Sequence, residues 1–328
     1  MIVVEELTKR FGERDAVQNI SFTVDRGEIL GFLGPNGAGK TTTMRILTCY
    51  FPPTSGRAEV AGFDVTKDSL EVRKRVGYMP ENVPLYHDMP VETYLGFVAD
   101  VKGVNARERR KHVEAILDET SLTEVRDYPI SKISRGFRQR VGLAQALVGN
   151  PDVLILDEPT VGLDPKQVVE IRTLIKSLAE RSTVILSTHI MQEVEMMCSR
   201  VIIIDKGQIR EKGEVANLRA RLAQGGLAEV LVQGATLSAL SSSLGKVSGV
   251  GEISETGKDG DATRYQIALT GSRSVMADIA ATIIGKEWKL LELRQKADSL
   301  EDIFIRVVSG DSSSAAASPS AAEKKEAS

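Results

Sequence analysis

The run Gly34-Pro35-Asn36-Gly37-Ala38-Gly39-Lys40-Thr41-Thr42 sits between an apolar strand pattern, Ile29-Leu30-Gly31-Phe32-Leu33, and a helical pattern, Thr42-Thr43-Met44-Arg45-Ile46-Leu47. A loop of this composition at a strand-to-helix junction is a phosphate cradle. Its glycines let the backbone curl until successive N–H groups face phosphate oxygens, Lys40 reaches the terminal phosphates, and the Thr41 hydroxyl meets Mg²⁺. The run therefore predicts a bound nucleotide.

Further apolar runs, Val153-Leu154-Ile155-Leu156, Val184-Ile185-Leu186 and Val201-Ile202-Ile203-Ile204, are too apolar for strands with one wet face. They predict a parallel sheet covered on both sides, and the alternation of strand and helix makes the chain α/β. Ahead of the loop, Ile2 to Leu7 and Ile20 to Val24 are predicted as short, peripheral antiparallel strands. From about Glu92 to Leu147 the pattern is helical, with Val113, Ile116 and Leu117 at helical spacing and Arg107, Glu108, Arg109, Arg110 and Lys111 forming a solvated face. After Gly225-Gly226 the order becomes β-α-β-β-α-β: strand Glu229 to Gln233, helix Leu237 to Leu244, strands near Val250 to Ser254 and Tyr265 to Leu269, helix Val275 to Ile284, strand Leu290 to Leu293. That order matches a ferredoxin-like split unit, with Gly257-Lys258-Asp259-Gly260 as its hairpin turn. An amphipathic segment, Leu300 to Val307, follows. The Ser/Ala/Lys/Glu tail from Ser309 has too little apolar surface to order itself.

Composition narrows the function classes. The chain has 328 residues, and Lys+Arg at 42 against Asp+Glu at 45 leaves a net charge of −3, without the basic excess of a surface that tracks nucleic acid. Cys49 and Cys198 lie far apart and match no metal spacing, so they are read as reduced thiols in a cytosolic protein. The N-terminus lacks a basic region followed by an apolar stretch, and no apolar run approaches the roughly 18 residues of a membrane helix. A membrane role has to pass through a partner.

A nucleotide site also needs carboxylates, and Asp157-Glu158 emerge at the end of the run Val153 to Leu156. Asp157 is expected to hold the metal through water, and Glu158 to orient and deprotonate the attacking water. The pair runs on through Pro159-Thr160 to Gly162-Leu163-Asp164-Pro165, and Ser187-Thr188-His189 follows another apolar strand. Ile133-Ser134-Arg135-Gly136-Phe137-Arg138-Gln139-Arg140 completes the series. Residues 1 to about 222 thus resemble an ATP-binding-cassette (ABC) ATPase, with the family's Walker A, signature, Walker B, D-loop and switch histidine in order.

The resemblance implies a P-loop NTPase core carrying an antiparallel β subdomain and a helical subdomain at about 88–148. A small α+β domain at 226–308 and a tail at 309–328 would follow. It implies a head-to-tail dimer in which ATP lies between the phosphate loop of one subunit and the signature of the other. Ser134, Gly136 and the helix N-terminus there would meet the γ-phosphate, so that ATP closes the dimer and hydrolysis opens it. Asp164 would border the same site, His189 would touch the γ-phosphate and the attacking water, and Phe11 would stack on the base. His87 and His112 receive no such role.

Three positions depart from the family pattern. Glu81 replaces a glutamine, bringing a carboxylate near Mg²⁺ and the phosphates as a candidate ligand or water holder. Arg135 stands where a glycine is usual: strained if that position requires positive φ, an added cation near the opposing phosphates if it is helical. Phe137 replaces another glutamine. These departures resemble the drug, polysaccharide and gliding-motility exporter branch, which implies an ATPase subunit, peripheral on the inner face of the cell membrane. A separate membrane-spanning permease would dock near the Glu81 loop, where Pro84-Leu85-Tyr86 and Met89-Pro90 offer apolar contact. The alternative is a soluble non-transport cassette working on nucleic acid or ribosomes, but the long coiled-coil insertion or second cassette usual in such relatives is missing here. Intact Lys40, Asp157, Glu158 and His189 argue against a non-hydrolysing regulatory module.

Overall fold

A computed structural model describes residues 1–218, 226–269 and 274–296; the amphipathic segment at 300–307 and the tail lie outside them. In chain order the elements are β1 (Ile2–Phe11), β2 (Arg14–Val24), β3 (Ile29–Leu33), α1 (Lys40–Leu47), β4 (Ser55–Val60), β5 (Phe63–Asp64), α2 (Ser69–Arg75) and β6 (Val76–Met79). Then come α3 (Val91–Val101), α4 (Ala106–Glu119), α5 (Arg135–Leu147), β7 (Val153–Asp157), α6 (Pro165–Leu178), β8 (Thr183–Thr188), α7 (Met191–Met197), β9 (Arg200–Asp205) and β10 (Gln208–Glu214). The last stretch holds β11 (Gly226–Gln233), α8 (Leu237–Leu244), β12 (Val250–Asp259), β13 (Ala262–Leu269), α9 (Ser274–Gly285) and β14 (Lys289–Lys296).

The six-stranded sheet runs β10-β9-β3-β8-β7-β6, parallel except for β10. Its strands are apolar on both sides because both sides are covered, and alternate residues serve two cores. Leu30, Phe32, Ile155, Ile185 and Ile202 pack with α1 and the antiparallel sheet β2-β1-β4-β5. Leu33, Leu154, Leu156, Leu186 and Ile203 pack with the helices of the other face. β8 lies between β3 and β7, so the loops leaving the C-terminal ends of all three meet at one sheet edge.

β1 and β2, at 10 and 11 residues, are longer than the short strands expected from their apolar segments. Main-chain pairing carries both on to Phe11↔Arg14 through polar residues, with several register shifts on the way.

The third sheet has the order β12-β13-β11-β14 and is antiparallel throughout, as in a split β-α-β unit. Val230, Val232, Leu240, Leu244, Tyr265, Ile267, Ile279 and Ile283 form its own apolar core.

Candidate functional site

The phosphate loop leaves β3 and becomes α1 at Lys40. Gly39, before the helix, has φ 110°, and a Cβ there would meet the Ala16 carbonyl oxygen at 2.6 Å. Gly34 has no room either, since its Cβ would lie 2.3 Å from the Ile204 carbonyl oxygen. The tip Pro35-Asn36-Gly37 is accessible, while Ala38 is buried and pinned by the Gly207 N–H, which donates to its carbonyl at 2.9 Å. The first-turn N–H groups of α1, around Lys40, Thr41 and Thr42, have no intrahelical acceptor and form the positive end of the helix. Thr41 and Thr42 are half-buried beside them.

Lys40 is buried, and its Nζ donates to the carbonyl oxygens of Gly34 at 2.7 Å and Pro35 at 3.3 Å. The same nitrogen lies 3.4 Å from Glu158 Oε1. Glu158, just past β7, has φ 52°, a conformation that costs a non-glycine residue energy. Its N–H donates to the Ser187 carbonyl at 3.1 Å, and its Oε2 lies 2.9 Å from His189 Nδ1. His189 keeps 45% of its side chain exposed, so one edge of the ring is available to a ligand.

Asp157 is fully buried at the end of β7. Its Oδ1 accepts from the Ser187 hydroxyl, while Oδ2 is buried without a hydrogen-bond partner. A buried carboxylate oxygen left unmatched is costly, and it fits a site completed by a cation or its bound water. The oxygen donors available, the Asp157 carboxylate and the Thr41 hydroxyl, suit a hard ion such as Mg²⁺, which keeps waters and substrate phosphates as its other ligands. Burial and then the charge of Asp157 push the nearby Tyr78 phenol up to about 12.

The remaining predicted residues lie elsewhere in the chain. Glu81 is exposed in the loop after β6. Phe11, 44% exposed at the end of β1, meets Phe51 edge-on with centroids 5.4 Å apart, and Lys9 Nζ lies 5.1 Å from its ring centre. Ser134 caps α5, its hydroxyl accepting the Phe137 N–H at 3.3 Å. No acidic side chain occupies the first turn of that helix to neutralise its positive end.

Arg135 begins α5 with helical backbone and is absent from the positive-φ residues, so of the two conformations weighed for it the strained one is excluded. Its Nη2 donates to the Val161 carbonyl at 3.3 Å, and its guanidinium covers Gly162, where a Cβ would lie 2.2 Å from Cζ. Gly136 is buried against Gln167, and Asp164 caps α6 by accepting the Gln167 N–H at 2.9 Å.

Of the apolar loop residues, Tyr86 is exposed, but Leu85 belongs to the core. Pairing of the loop with the helical region draws it inward, so Leu85 is not docking surface. His112 Nε2 accepts the Gly149 N–H at 3.0 Å, and burial holds its pKa below the ordinary value.

Sequence reading missed Glu193, which is buried against Thr160 and Thr188. Its position four residues after His189 was the available signal, but an acid in a helix's first turn is too common to stand out.

The family described as ABC transporter matches residues 17–161. The linearmycin resistance ATP-binding protein LnrL of Bacillus subtilis is 30% identical over 308 residues, 94% of this chain and 98% of that protein. The Nod factor export ATP-binding protein I of Ralstonia nicotianae is 38% identical over 215 residues, 65% of this chain and 67% of that one. Among solved structures, the dimeric post-hydrolysis state of the ATP-binding cassette MJ0796 bound to ADP and Pi superposes with a TM-score of 0.60 at 26% identity, covering 66% of this chain and 99% of that one.

Proposed function

The chain belongs to the ABC transporter ATPases, proteins that bind and hydrolyse ATP, and from that premise we propose that it powers a separate membrane-spanning exporter subunit through ATP-driven closure of a head-to-tail dimer. Among the described residues no helix is long and apolar enough to cross a membrane. The single observation that carries the reading is the convergence of Lys40, Asp157, Glu158 and His189 at one sheet edge.

Lys40 holds the β- and γ-phosphates once it exchanges its loop carbonyls and Glu158 for phosphate oxygens, while the first-turn N–H groups of α1 hold the rest. Phe11 offers its exposed ring to the adenine. Thr41, Asp157 through water, and Glu81 would hold Mg²⁺, which when bound would supply positive charge against the phosphates. Glu158 accepts the proton of the attacking water, and His189, bonded to the other side of that carboxylate, contacts the γ-phosphate. Ser134, Arg135, Gly136 and Asp164 lie on the face that meets the second subunit. The uncompensated positive end of α5 and the Arg135 guanidinium suit the γ-phosphate of the partner's nucleotide. The permease docks beside the Glu81 loop, against exposed Tyr86 and Phe97.

Replacement Glu158→Gln tests this. ATP binding should persist, turnover should fall by more than about a hundredfold, and light scattering should show a dimer that ATP stabilises. Turnover at the wild-type rate refutes the assignment of the base.

A further inference from the structure

After Asp157, Glu193 is the most deeply buried acid among the described residues, 1% exposed in the first turn of α7. Phosphoryl transfer as described gives it no role. Both of its oxygens are engaged: Oε1 accepts from the Thr160 hydroxyl, and Oε2 accepts from the Thr188 hydroxyl at 2.8 Å. The Thr188 oxygen itself accepts the Ile190 N–H at 3.0 Å, which aims its proton at the carboxylate.

The two hydroxyls come from different strand ends, Thr160 in the turn after β7 and Thr188 as the last residue of β8. Thr160 follows Glu158 by two residues, and Thr188 immediately precedes His189. An apolar side chain would fill the same space without the cost of burying a carboxylate, so the acceptor pair specifies where the two strand ends stand relative to each other. Thr188 also ties back to the phosphate loop, its carbonyl accepting the Gly34 N–H at 3.4 Å.

We propose that Glu193 is a positioning residue for ATP hydrolysis, fixing the Glu158–His189 pair by holding Thr160 and Thr188 on one carboxylate. It does not touch nucleotide; it acts through the two threonines on the base and the histidine. The proposal rests on the reading of Glu158 as the base and His189 as its partner. A displacement of about 1 Å at such a pair costs on the order of a hundredfold in rate.

The test is steady-state ATP hydrolysis by the full chain carrying Glu193→Gln, Thr160→Val, Thr188→Val and the two threonine-to-serine changes. Glu158→Gln and His189→Ala serve as references. Glu193→Gln and the valine variants should lower kcat by about ten- to a hundredfold with KM for ATP held within about twofold, and the serine variants should recover most of the rate. In the His189→Ala background, Glu193→Gln should cost clearly less than it does in the wild-type background, since one of the two residues it positions is gone.

Wild-type kcat in Glu193→Gln and both valine variants overturns the proposal, as does equal loss in the serine and valine variants or full additivity with His189→Ala. Wild-type turnover in Glu158→Gln sinks the reading of the site instead. If thermal melting shows that Glu193→Gln does not fold, the comparison of valine with serine at 188 decides.

Discussion

The nucleotide edge of the parallel sheet and the antiparallel sheet at 226–296 treat polar groups in opposite ways. At the first, Lys40, Asp157, Glu158, Ser187, Thr188 and Glu193 are all withdrawn from water. In the second, the core is apolar apart from the Tyr265 hydroxyl, which donates to the Ala235 carbonyl at 2.8 Å, and no described residue is a buried charge. Its charges stand outside, with Arg264 3.0 Å from Glu292 and Arg294 hydrogen-bonded to Glu229 at 2.9 Å. Burying ionised groups is costly even when they are paired, so a fold selected for stability alone would resemble the second sheet. The concentration of buried charge at the ends of β3, β7 and β8 is the mark of a site built to meet a charged ligand.

The largest effect expected from breaking this contrast comes from Lys40→Ala. It removes the lysine paired with Glu158 in that cluster, the group proposed to meet the terminal phosphates. ATP turnover should drop by at least about a thousandfold, each factor of ten being about 1.4 kcal/mol, with binding severely weakened in calorimetry. Wild-type hydrolysis in this variant would show that the buried charges serve stability after all. Glu158→Gln should rank just below it, because the phosphate contacts survive and only the water loses its base.

Much of this contrast was legible before any coordinates. The loop from Gly34 to Thr42, the acids at 157 and 158 and the histidine at 189 are contiguous or lie at strand ends, where an apolar run stops and a functional residue begins. The order of elements in the last segment suggests a split unit without fixing its topology, and the observed strand order β12-β13-β11-β14 is the one such a unit has. Hidden from the sequence was what depends on rotamer and long-range approach. Arg135 could be read as strained or helical until its backbone was seen, and Leu85 reads as surface in a loop but is core. Glu193 looks like any acid at a helix start until two hydroxyls from distant strand ends are found on it.

A third variant attacks the other side of the comparison. Ile279 is fully buried in α9 against the last sheet, and Ile279→Ala should cost about 2–5 kcal/mol there by loss of transfer energy and a residual cavity. The expected result is early melting of the segment at 226–296 by hydrogen exchange, with kcat for ATP and protection of the β3, β7 and β8 amides unchanged. Loss of ATPase activity in step with that melting would mean that the two regions are energetically one.

The smallest effect is expected at Arg264, at the centre of the charge pairs on the outer sheet face. Its guanidinium lies 3.0 Å from Glu292 and 3.9 Å from Glu229, yet both acids also face Arg294, with Glu292 Oε1 at 3.5 Å from Arg294 Nε. Removing one of two shared cations at a partly exposed surface should therefore cost no more than about 1 kcal/mol in denaturant titrations. Because those charges are reached by solvent, the difference between Arg264→Ala and wild type should shrink further in about 1 M salt, where the Debye length is near 3 Å. A loss several times larger, or one that salt does not reduce, would mean that this sheet too relies on withdrawn charge. The opposition between the two regions would then be one of degree, and buried polarity alone would no longer single out the nucleotide edge.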